Sequence, residues 1–206
     1  MPIEVPEGAQ ILSADANKLG DIYAKLAQTR GVFDDFTKNP EYFFKLYFAK
    51  DTVWLERTDG NGILYLTNVI PGLSALAHIV YWDKRLGGRE AFTLDCLRWG
   101  FTNIGLKKVN VWMPEFAKAA IHFARKLGFQ FEGKVRRWSY SQGRTYDILM
   151  YGMTNEEAFS GQQYAAVQPD IERVEQQLYT EDDGDQHDSP GSADPLEEPA
   201  PLVVGE

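Results

Sequence analysis

The chain has 206 residues, 44% of them hydrophobic and 13% aromatic, which is enough for one good-sized domain with an appendage. Its net charge of −9 belongs to the C-terminal stretch: residues 181–206 carry nine acids and no Lys or Arg, so the remainder holds 21 acids against 21 bases and has no basic field for nucleic acid. The single Cys96 excludes an intramolecular disulfide, and no run approaches the roughly 18 apolar residues that a membrane helix needs.

Residues 1–12 form a polar, proline-bearing lead-in with no basic start or apolar leader core, which fits a soluble protein of the cytoplasm. Ser13 or Asp15 can cap a helix running to about residue 29, with Leu19, Ile22 and Leu26 on one side. After a break at Gly31, residues 41–50 are too rich in aromatics for a solvated helix and should pack on the domain or on a ligand. Residues 51–58 have strand character, and Thr58-Asp59-Gly60-Asn61-Gly62 is a hairpin turn into a second strand, 63–70. Pro71-Gly72 turns the chain into a third strand, 76–82, apolar on both faces and therefore central.

A turn with Gly87 and Gly88 opens a helix from Glu90 to about Asn103, whose apolar residues are Phe92, Leu94, Leu97 and Phe101; Cys96 reads as a small core residue within it. Gly105 ends that helix. Residues 106–113 form a strand reached by a helical crossover, and so parallel to the strand at 76–82. Pro114 then suits the first turn of a helix with Phe116, Ala120, Phe123, Ala124 and Leu127 inward and Gly128 as its stop. Two strands, 129–141 and 144–153, close the sheet around a Gln-Gly turn, and Thr154 with Glu157 makes a capping box for a short helix. The expected division is a lead-in at 1–12, a domain at 13–160, a linker and short amphipathic helix at 161–180, and an acidic, proline-rich tail at 181–206 too poor in apolar groups to order itself. The helix at 170–179 and the tail are the candidate surfaces for a protein partner.

A buried strand that runs through a glycine turn into a helix points free N–H groups at whatever lies beyond the strand, and such a place binds phosphate. Lys84, Arg85 and Arg89 surround that turn, although a plain tight turn with solvated charges has the same composition. His78, inside the central strand and with an intrinsic pKa near 6.5, is the candidate base; its alternative is a histidine that shares a sheet face with Leu76, Val80 and Trp82 and bonds to a neighbour. Glu115, Tyr146 and Asp147 are weaker candidates of the same kind. His122 reads as a surface residue and His187 lies in the tail, so three scattered histidines and one cysteine give no metal-site spacing.

The element order resembles that of the GNAT superfamily of acyl-CoA N-acyltransferases over residues 13–160. The resemblance is carried by Gly87-Gly88-Arg89-Glu90-Ala91, by Ala119-Ala120-Ile121 with Lys126-Leu127-Gly128-Phe129, and by Glu132-Gly133 followed by Arg136. Asp147 with Met150-Tyr151-Gly152-Met153 is similar to the branch that acetylates ribosomal-protein N-termini, and the whole resembles GNAT-like proteins encoded by tailed bacteriophages. The resemblance implies a mixed α/β fold (α+β): a mostly antiparallel, twisted sheet of six to seven strands with flanking helices and a splayed central parallel pair. It further implies acetyl-CoA as acyl donor, with pantetheine along the backbone of Val80, Tyr81 and Trp82 and pyrophosphate on Lys84, Arg85, Gly87, Gly88 and Arg89.

The chain departs from the family at four places. Asp83 and Leu86 stand where the phosphate turn usually has Arg or Gln and its first glycine. Ala117 replaces an asparagine that contacts pantetheine, and Ala124 replaces the tyrosine that protonates the leaving thiolate. Two readings follow. One is an N-acetyltransferase acting by direct attack of an amine, whose identity (small molecule, protein N-terminus or lysine) is set by the first two helices and the loop at 141–144. The other is a catalytically silent GNAT-fold assembly module, for instance in a phage virion.

Overall fold

Asp15 starts the first helix: its side chain accepts from the N–H of Lys18, and the Ala16–Gln28 helix (α1) that follows buries Leu19, Ile22 and Leu26, as the periodicity requires. In the computed structural model, residues 4–83, 85 and 87–160 are described. Lys84, Leu86, the 170–179 helix and the acidic tail lie outside them. A second helix, Pro40–Tyr47 (α2), is capped by Asn39 and buries Phe43 completely.

Seven strands form one sheet. They are Ala9–Ile11 (β1), Val53–Arg57 (β2), Gly62–Ile70 (β3), Ser74–Tyr81 (β4), Lys108–Pro114 (β5), Gln130–Ser141 (β6) and Arg144–Thr154 (β7), in the order β1-β2-β3-β4-β5-β7-β6. Every neighbouring pair is antiparallel except β4 with β5, which the helical crossover makes parallel. β1 lies within what the sequence suggested was a lead-in, because three residues are too few to show an alternation.

The crossover helix, Arg89–Trp99 (α3), continues as a π-helical turn, Gly100–Ile104, and stops at Gly105, whose φ of 75° a glycine tolerates. Helix α4 spans Lys118–Leu127 and ends at Gly128; α5 spans Asn155–Phe159 behind the capping box of Thr154 and Glu157. Pro114 does not begin α4. It is the last residue of β5, held in the sheet opposite Ile148, and the helix starts only after the N–H of Ala117 has bonded to the Pro114 carbonyl. The shifted start turns Ala120 out to solvent and leaves Ile121, Ala124 and Leu127 inside.

Two apolar layers sandwich the sheet. Alternate β4 residues Ala75 and Ala77 join α3 and α4 in one, which also buries Cys96 and pushes its thiol pKa up to about 12. Val80 and its neighbours on β2 and β3 join α1 and α2 in the other. His78 belongs to this second side.

Candidate functional site

β4 and β5 pair at only three positions: Ser74 with Lys108, Ala75 with Val109, and Leu76 with Asn110. β4 then runs on to Tyr81 beside β3, and β5 runs on to Pro114 beside β7. From residue 77 onward the edge of β4 that faces β5 therefore has no strand ladder, and a wedge opens in the middle of the sheet. Its backbone can be assigned. The Trp82 N–H donates to the Asn61 carbonyl at 3.0 Å, toward β3, and antiparallel alternation turns the Val80 N–H the same way. The N–H groups directed into the wedge are those of Ile79 and Tyr81. Of the three residues expected to line a pantetheine with their backbone, only Tyr81 is placed to do so.

At the wide end of the wedge, Gly88 takes a left-handed φ of 75° and α3 begins. Gly87 and Gly88 are exposed, and a Cβ built on either meets nothing within 4 Å. Among the described residues, the N–H groups of Gly88 and Arg89 have no acceptor, and the helix dipole adds to their positive character. The Arg89 guanidinium lies 6.0 Å from the Tyr81 ring and 5.9 Å from that of Phe123, so it reaches from the first turn of α3 to the end of β4 and the middle of α4. The Asp83 carboxylate is engaged by Arg85, accepting from its N–H and Nε at 2.9 and 3.2 Å, which hold it ionised and below the usual carboxylate range.

Two supporting residues, Asn61 and Arg57, escaped the sequence reading, and the expected Tyr81 has a second part through its side chain. Asn61, buried in the hairpin turn, accepts from the Asp83 N–H at 2.7 Å and donates to the Asp83 carbonyl at 3.1 Å. Arg57 donates to the Gly87 carbonyl at 3.3 Å while its other nitrogens hold Asp59. The Tyr81 hydroxyl donates to the Arg89 carbonyl at 2.8 Å, pinning the first turn of α3 to β4; burial pushes that phenol up to about 12. The contacts of Asn61 and Arg57 span 22 and 30 residues, so no local pattern announces them.

On the α1/α2 side of the sheet, next to the start of the wedge at Leu76 and His78, lies a cleft of about 160 Å³. Tyr65 and Thr67 of β3 and Leu76 and His78 of β4 form its floor; Phe33, Tyr42 and Leu46 stand above them. His78 is half-buried, with Nε2 3.1 Å from the Thr67 hydroxyl, and burial lowers its pKa to about 4. Trp54, Tyr65 and His78 occupy successive cross-strand positions on β2, β3 and β4 and stack in parallel, with ring centroids 4.0 and 4.4 Å apart. The row stops at His78 because β5 has parted from β4 there.

The other candidates are engaged in the framework. Burial alone would raise the Asp147 carboxyl, yet Lys134 at 2.8 Å and the N–H of Arg137 hold it below the carboxylate range. Glu115 accepts from the Asp147 N–H, and Tyr146 packs edge-on to Phe116. His122 is exposed. Ala117 is the N-terminal boundary of α4 and Ala124 is buried at 4% exposure, so neither brings a polar atom to the wedge. Among the described residues no three His, Cys, Asp or Glu side chains are grouped to hold a metal, and no helix is long and apolar enough to cross a membrane.

No family model matches the chain. Over 71 residues it is 35% identical to the SPbeta prophage-derived uncharacterized N-acetyltransferase YokL of Bacillus subtilis (strain 168), covering 34% of this chain and 40% of that protein. The matched region thus spans less than half the length of that curated relative. Among solved structures, the spermidine N-acetyltransferase of Vibrio cholerae in complex with CoA and spermine superposes with a TM-score of 0.59 at 17% identity, covering 73% of this chain and 98% of that one. A dodecameric structure of the same enzyme in an intermediate state gives 0.58 at 15% identity, covering 74% and 96%. The seven-stranded sheet, with its single parallel pair and its flanking helices, is the GNAT fold that these solved structures share, and about a third of the chain is similar in sequence to a prophage-derived N-acetyltransferase.

Proposed function

We propose that the protein is an N-acyltransferase that moves an acetyl group from acetyl-CoA to an amine by direct attack. The observation that carries this reading is the parting of β4 from β5 after Leu76 and Asn110, beside a helix start whose N–H groups have no acceptor among the described residues. The relatives named above are N-acetyltransferases, and one of them holds CoA in its solved structure, which favours the enzyme over a silent assembly module.

In this reading the CoA diphosphate rests on the N–H groups of Gly88 and Arg89, with Arg85 and Arg89 as counter-charges. The thioester carbonyl lies against β4, where the N–H of Ile79 or Tyr81 stabilises the oxyanion. The amine comes through the cleft. An uncharged, largely apolar cleft disfavours the ammonium form, so the amine arrives neutral and needs no strong base. Its nitrogen bonds to the carbonyl carbon, the C–S bond breaks, and the surplus proton of the tetrahedral adduct passes to His78, which is neutral and has one nitrogen free for it. Ala124 supplies no acid, so the leaving thiolate takes its proton from water.

Titration with acetyl-CoA while following thermal unfolding tests the donor site: at 100 times its dissociation constant, a ligand bound only by the folded state stabilises it by about 2.7 kcal/mol. Gly87→Glu should abolish the shift. Position 87 is better than Gly88 for this purpose, because its backbone is not left-handed and the added side chain meets open space, so only charge changes. A wild-type midpoint unmoved by millimolar acetyl-CoA would overturn the proposal.

A further inference from the structure

The cleft beside the wedge has a chemistry of its own. No Asp, Glu, Lys or Arg is among the described residues that line it; its polar members are Thr37, Thr67, Asn68 and His78, with the hydroxyl-bearing rings Tyr42 and Tyr65. Asp34, close by in sequence, directs Oδ1 to the N–H groups of Phe36 and Thr37 and to the Thr37 hydroxyl. A polyamine entering such a space would bring several ammonium groups out of water with no carboxylate to meet them, which costs several kcal/mol for each charge. An aromatic ring meets the reverse situation. The volume of about 160 Å³ is close to that of a dry cavity, about 150 Å³, that accommodates benzene. The Trp54, Tyr65 and His78 rings, with interplanar angles of 5° and 7°, form a stack that ends at the wedge, where a further flat ring can continue it. Tyr65 lines the cleft, and its hydroxyl has no hydrogen-bond partner among the described residues, so it is available to a polar atom of a ligand.

Resting on the acyltransferase reading above, we infer that the acceptor is an amine borne on a planar aromatic body, an arylalkylamine in chemical class, held by stacking in the cleft with a polar atom against the Tyr65 hydroxyl. A polyamine is not the substrate, although the enzyme that shares this fold in Vibrio cholerae is named for one.

The test compares 2-phenylethylamine with spermidine as acceptors for the full chain at saturating acetyl-CoA, reading free thiol, with the acetyl-CoA thermal shift measured alongside. The expected result is a kcat/KM at least tenfold higher for 2-phenylethylamine. Val32→Glu, which sets a carboxylate at the cleft wall, should narrow that ratio at least tenfold while the acetyl-CoA shift stays as in the wild type. Equal or better turnover of spermidine, or no thiol from either amine while acetyl-CoA still raises the midpoint, would overturn the inference and leave the donor site standing. Loss of the acetyl-CoA shift itself would overturn both.

Discussion

At residue 78 the histidine is kept neutral by its surroundings, and that has a consequence for stability. Its pKa of about 4 in the folded chain lies below the value near 6.5 of a free imidazole, and the cause is burial. Between those values the unfolded chain binds the proton and the folded chain does not. The contribution is therefore fully present above pH 6.5 and is lost as pH falls toward 4, by at most about 3 kcal/mol. His78→Phe keeps a ring on the Tyr65 face and removes the titration. Its urea midpoint should accordingly fall less than that of the wild type between pH 7 and 4.5. Parallel declines in the two proteins would show that the imidazole is not the group concerned. The same burial bears on the role proposed for His78: a base this weak could not deprotonate a free alkylammonium, so in that reading it takes a proton only from the more acidic ammonium of a tetrahedral adduct.

Among elements, the hairpin joining β2 to β3 does more than reverse the chain. Its Asn61 holds both backbone groups of Asp83, so the turn that closes one end of the sheet also fixes the entry to the glycine turn before α3. Asn61→Ala removes two hydrogen bonds and leaves the Asp83 N–H unpaired, a cost of about 1–3 kcal/mol. Thermal unfolding should show that loss, and the acetyl-CoA shift should shrink beyond it because the turn is no longer held; a shift of wild-type size would separate the hairpin from the site. Much of this architecture was legible in the sequence, because the signals are local: the Asp15 cap, the Asp59-Gly60-Asn61-Gly62 turn, the stops at Gly105 and Gly128, and the Thr154 capping box all stand where expected. The start of α4 was misplaced because a proline at a first helical turn and a proline ending a strand look alike until the partner strand is known. The wedge came from the family resemblance, since a paired and a parted strand have the same alternation. The ring stack needed register, and the Asn61 clamp needed contacts across 22 residues.

For the molecule as a whole, the charge of the described region differs from that of the chain. Residues 4–160 hold 18 acids against 20 bases, whereas residues 181–206 hold nine acids and no Lys or Arg. In the proposed reading the anionic donor is bound by a weakly positive body, and residues 181–206 add net negative charge to the same chain. Through-space repulsion between like charges falls off over about 10 Å at 0.1 M salt and over about 3 Å at 1 M. Removing residues 161–206 should thus tighten acetyl-CoA binding in low salt, and the difference between the truncated and full chains should vanish by about 0.5–1 M salt. The truncated chain should still fold, because the last turn of the described region is secured internally: the Arg98 side chain donates to the Ala158 carbonyl at 3.0 Å, Ala158 is buried, and the capping box anchors α5 on β7. Calorimetric titration of both chains across that salt range decides the matter. A truncated chain that fails to fold would move the domain boundary past residue 160, and one that binds more weakly at every salt concentration would assign the C-terminal sequence a part in holding the donor.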